Sequence, residues 1–71
     1  MSRTLHLGTV TDFDEARGLG TVRGADGGEW AFHCTEIAGG SRTIDPGTRV
    51  AFVVVPGGLG RMEAACVTRL A

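Results

Sequence analysis

Apolar and polar residues alternate over short stretches of this chain, and a turn signal ends each stretch. In Glu29-Trp30-Ala31-Phe32-His33, Trp30 and Phe32 fall on one face, and Glu29, Ala31 and His33 on the other. The preceding stretch, Leu19-Gly20-Thr21-Val22-Arg23, carries glycines that leave space above a sheet. Phe13-Asp14-Glu15-Ala16-Arg17-Gly18 and Gly24-Ala25-Asp26-Gly27-Gly28 read as tight turns around it, because Asp-Gly and Gly-Gly pairs supply positive φ angles. The pattern predicts strands over residues 5–13, 19–23, 29–34, 49–55 and 61–70. In the first, Val10 points inward, and strict alternation would carry Asp12 inward with it. An unpaired buried carboxylate is costly, so a bulge or an early strand end is expected near Thr11 or Asp12.

Between the third and fourth strands, Thr35-Glu36-Ile37 fits one helical turn capped by Thr35. A flexible loop follows over residues 38–43, and Asp45-Pro46-Gly47 is a strong turn signal. Pro56-Gly57-Gly58-Leu59-Gly60 reads as a mobile turn before the last strand. Five short strands without a long helix predict an all-β fold, a small five-stranded antiparallel barrel, closed or nearly so. Its expected core is Val10, Val22, Trp30, Phe32, Val50, Phe52 and Val67.

Length changes this picture little: 71 residues make one domain, residues 1–71, with a small core and modest stability. The hydrophobic content of 42% is too high for a disordered chain. No apolar run approaches the roughly 20 residues of a membrane helix, so no membrane partner is expected. The first residues lack the apolar core of a secretory signal, which makes the cytoplasm the expected location. The formal net charge is −1, which argues against tight non-specific binding to nucleic acid while leaving room for a local basic stripe. All seven basic residues are arginine, so neither a Schiff-base lysine nor a phosphate-loop lysine is available.

Catalytic readings find no support. Gly18-x-Gly20 is followed by Arg23 where a dinucleotide fingerprint needs its third glycine. Ser2 and Ser41 lie in no nucleophile-elbow motif, and Asp12, Asp14 and Glu15 read as the solvated face of a turn. Cys34 and Cys66 have no C-x-x-C spacing and read as free, partly buried thiols; a disulfide would need their strands to be neighbours. His33 and Cys34 are adjacent on one strand and point to opposite faces, so they are poorly placed to grip one metal ion with His6 and Cys66. No enzyme activity, metal or cofactor is expected.

The segments Gly8-Thr9-Val10, Phe13-Asp14, Arg17-Gly18-Leu19-Gly20-Thr21-Val22, Phe32-His33-Cys34-Thr35 and Ala65-Cys66-Val67-Thr68 together resemble a cold-shock domain. The resemblance implies a barrel of the oligonucleotide/oligosaccharide-binding type that holds single-stranded RNA or DNA. In that family an outer face bears a cluster of aromatic rings. Carried over by position, Phe13 and His33 keep ring-bearing sites and Arg17 keeps the basic one. Asp12 stands where the family has tryptophan, and Leu19, Thr21, Ala31 and Cys34 stand where it has other aromatics. The loop over residues 39–42 is a residue shorter and lacks the family's tyrosine.

Two readings of this face stay open. In the first, the chain binds single-stranded RNA or DNA weakly and with little sequence preference. The contacts are Phe13, Arg17, Leu19 and His33, with Thr21 and Arg42 at the periphery. Base-on-ring stacking is worth about 1–3 kcal/mol per base, so losing most of the rings removes most of that term. In the second reading the barrel is a protein-interaction module that has lost nucleic acid. Leu19, Ala31 and Cys34 then form a small apolar patch for a partner or for self-association.

Overall fold

The computed structural model describes residues 4–70. Five strands, β1 (His6–Asp14), β2 (Leu19–Gly24), β3 (Glu29–His33), β4 (Arg49–Pro56) and β5 (Met62–Arg69), close into a barrel in the order β1-β2-β3-β5-β4. Every predicted strand is present, with ends displaced by a residue or so. Three short differences arise where local sequence competes with packing. Cys34 leaves β3 and opens a 3-10 turn over Cys34–Glu36. Its cap position is His33 and no side chain caps it, so Thr35 lies inside the turn and does not cap it. The segment expected to be a mobile turn contains a second 3-10 turn, Gly58–Gly60.

The barrel is not antiparallel throughout: β3 and β5 run parallel, paired at Ala31 and Glu63, while all other neighbours are antiparallel. The reason is parity. In a closed ring of five strands direction cannot alternate at every step, so one neighbouring pair must match. The mismatch falls at β3–β5, whose connection is the long one through Ile37, Ile44 and β4. Such a crossover is what a parallel pair requires.

Of the two outcomes expected near Thr11 and Asp12, a bulge or an early strand end, β1 takes the bulge and runs on to Asp14. Val10 faces Val22 and Asp12 faces Thr21, which leaves Thr11 as the extra residue. Asp12 is thereby exposed. A second bulge lies in β5, where Val53 faces Ala65 but Ala51 faces Thr68. Cys66 takes up the added residue there in a left-handed conformation, φ 53°. That turns Cys66 to solvent while Ala64, Ala65 and Val67 stay buried. Cys34 and Cys66 are both free thiols.

The core contains Val10, Val22, Phe32, Val50, Phe52 and Val67, together with Ile37, Ile44 and Ala64. Trp30, expected among them, is only half-buried and packs against the cluster from its edge. There its ring meets Phe52 at 5.7 Å and His6 at 5.6 Å between centroids. Glycine in β2 makes this packing possible. A Cβ on Gly20 would come within 2.5 Å of Phe32 Cζ, and one on Gly24 within 2.9 Å of Trp30 Cζ3.

Candidate nucleic-acid interface

Strands β1, β2 and β3 form one continuous sheet whose outer face is read directly from the register. Asp14, Leu19 and His33 make one cross-strand row, and Asp12, Thr21 and Ala31 make the next. Residues directly opposite one another across a ladder point to the same side, so Leu19, Thr21, Ala31 and His33 share a single surface. His33 and Ala31 are exposed, and Leu19 and Thr21 are half-exposed. The two β2 positions stand at i and i+2, and the local alternation of the sequence places them together without help from the rest of the chain.

Phe13 does not join them. The extra residue at Thr11 puts Phe13 opposite Gly20 and in the row of Phe32, on the inner side of the sheet. Its ring stacks on Phe32 with centroids 6.1 Å apart and planes 21° apart. Phe13 is thus half-buried at the end of the core, beneath the face that Leu19 and His33 occupy.

Arg17 lies in the β1–β2 turn and is exposed. The turn is held by Asp14, whose Oδ1 accepts from the backbone N–H of Ala16 at 3.0 Å and of Arg17 at 3.2 Å. Gly18 N–H closes it onto Asp14 O at 2.8 Å. The Asp14 carboxylate is therefore occupied by the backbone. Among the described residues the one salt bridge is Arg23–Glu29, so Arg17 is tied to neither Asp14 nor Glu15.

Arg42 sits apart from these rows. It lines a separate cavity of about 410 Å³ with Cys34, Thr35, Ile37, Gly40 and Ser41. The loop there is held down by Arg69, which donates to Ser41 Oγ at 3.2 Å and to Thr43 O at 2.7 Å. Cys34 packs partly into the core and donates its backbone N–H to Gly18 O at 2.8 Å. The expected apolar patch of Leu19, Ala31 and Cys34 is thus mainly Leu19 and Ala31.

Two further arginines lie on the outer side of this sheet. Arg23 continues the alternation of Leu19 and Thr21 along β2, which the sequence alone could have supplied. Arg49 comes to the same region because β4 pairs with β1 and sets it opposite Thr9, a long-range pairing that no local pattern announces.

A family model described as the 'Cold-shock' DNA-binding domain matches residues 6–70. No curated protein matches the chain. Among solved structures, drosophila Unr CSD456 is similar, with a TM-score of 0.80 and 28% sequence identity. That match covers 99% of this chain and 28% of the Unr chain, so this protein spans little more than a quarter of its relative. The barrel order, the β1–β3 face and a family match from the first strand to the last agree: the chain belongs to the cold-shock DNA-binding domain family, a family of nucleic-acid-binding domains.

Proposed function

We propose that this domain binds single-stranded RNA or DNA weakly, with little sequence preference, on the outer face of β1–β3. The observation that carries the reading is the shared surface of Leu19, Thr21, Ala31 and His33, four positions that the resemblance to cold-shock domains implies for the ligand face. His33 offers the one ring of that surface. Leu19 and Ala31 offer van der Waals contact without a π face, and Arg17 offers charge from the turn. Arg42 contributes at most from the side, across its own cavity. Phe13 acts from beneath, by fixing the sheet against Phe32.

The weakness follows from the same residues. With one imidazole ring on the face, most of the stacking term, about 1–3 kcal/mol per base, is missing. Asp12 stands in the row of Thr21 and Ala31 and repels phosphate. The competing reading, a protein-interaction module, loses support because Cys34 turns partly into the core and leaves a patch of one leucine and one alanine.

Titration with oligo-dT or oligo-U at low salt tests the proposal. Amides of Arg17 to Thr21 and of His33 should shift, and affinity should fall steeply as salt rises. If no amide moves at high micromolar strand, the domain does not bind nucleic acid on this face and the interaction-module reading takes its place.

A further inference from the structure

We propose that the main phosphate contacts of the bound strand lie in a groove between Arg23 and Arg49, with Arg17 alone serving the turn that carries Asp14 and Glu15. This inference rests on the proposed single-strand binding and assigns the path of the backbone. The groove is open, about 510 Å³, and centred on the outer side of β1; Leu7, Thr9, Thr11, Arg23, Arg49 and Leu70 are among its walls. No carboxylate side chain lines it among the described residues.

The register sets its geometry. Thr9 lies opposite Arg23 on one side and opposite Arg49 on the other. Two interstrand spacings of about 4.8 Å place the two arginine backbones about 10 Å apart, within reach of one or two phosphates. Both side chains are exposed. Arg23 spends one Nη on Glu29 at 3.2 Å, an exposed pair that leaves most of its five donors free. Thr9 adds a hydroxyl donor, whereas the Thr11 hydroxyl donates to Thr21 O at 3.4 Å, and Leu7 and Leu70, 50% and 41% exposed, offer apolar walls to the sugars.

Charge decides the direction. One end of the β1–β3 face carries Asp12, Asp14 and Glu15 against Arg17 alone, and the other carries Arg23 and Arg49 against Glu29, on a chain of net charge −1. A polyanion resting on Leu19, Thr21 and His33 is pushed from the first end and drawn to the second. The path is continuous, because the Thr9–Arg23 row follows the Asp12–Thr21 row, past Val10 and Val22, on the same ladder.

The test compares two single-charge removals on the whole chain. Arg49→Gln takes a charge from the groove; Arg61→Gln takes one from the exposed segment before β5, outside it. With oligo-dT, Arg49→Gln should weaken binding about fivefold at low salt. It should also flatten the slope of log affinity against log salt by about 0.7, the value of one phosphate contact on a single strand. Arg61→Gln should leave the slope unchanged. In the wild type, amides of Thr9, Thr11, Arg23 and Arg49 should shift with the strand, which decides the matter even if a variant fails to fold. If Leu19, Thr21 and His33 shift while the groove amides and the Arg49→Gln slope do not, the groove proposal is wrong and single-strand binding stands. No saturable binding by the wild type overturns both. A Glu/Leu-rich peptide that moves the groove amides where the oligonucleotide does not would make the groove a peptide site and overturn the proposal.

Discussion

At Leu19 and Thr21 the side chains are small or aliphatic on a surface built to present them outward, opposite His33 and Ala31. Rings placed there would stand beside His33 with nothing of the core to disturb. Leu19→Phe with Thr21→Phe should therefore raise affinity for oligo-dT by roughly 2–4 kcal/mol, at the lower part of the per-base stacking range for each ring. Fluorescence or calorimetric titration reads this directly. An unchanged affinity in a folded double variant would mean that bases do not lie over β2. Phe13 behaves differently. Its ring is spent on Phe32, so its removal should be felt first in stability, through the loss of a half-buried aromatic contact.

At the level of the element, β2 is narrow by design of its sequence. Gly20 lies under both aromatic rings of its row: a Cβ there would reach Phe32 Cζ at 2.5 Å and Phe13 Cδ1 at 2.9 Å. Gly20→Ala must therefore push one ring aside, and the expected cost is about 1–3 kcal/mol. Urea unfolding of the variant measures it; a midpoint equal to wild type would show that the rings yield freely. The bulges act at the same scale. Thr11 lets β1 keep Val10 and Phe13 inside and Asp12 outside. Cys66 lets β5 keep Ala65 and Val67 inside by facing water itself. Each bulge bends its strand, as closure of so small a barrel demands.

Across the whole molecule the core is small, and its two largest fully buried side chains are Phe32 and Phe52. Phe32→Ala should cost about 3–5 kcal/mol, a large share of the stability of such a domain. Trp30 is larger but sits at the barrel's edge, so Trp30→Ala should cost less, about 2–3 kcal/mol. Thermal melts of the two variants rank them. If Trp30→Ala is the more damaging, the aromatic group of His6, Trp30 and Phe52 closes the barrel's end more tightly than its partial exposure suggests.

Much of this was legible along the chain. The strands and the shared face of Leu19 and Thr21 follow from a period of two residues, which backbone geometry imposes on any half-buried strand, and the hairpin turns follow from their glycines. A carboxylate at an inward position was enough to foretell a bulge or an early strand end near Thr11 or Asp12, and the pairing with β2 decided for the bulge. Tertiary structure decided the rest. Ile37 and Ile44 lie in segments without periodicity, and they join the core only because the β3–β4 connection is drawn across the barrel. The inward turn of Phe13 depends on which residue of β1 bulges, and that depends on its pairing with β2. The parallel seam between β3 and β5, and the meeting of Arg49 with Thr9 and Arg23, depend on how distant strands close the ring. Alternation within a strand is settled by neighbouring residues, whereas the choice of partner strand is settled by the joint packing of the core and the entropy of closing long loops.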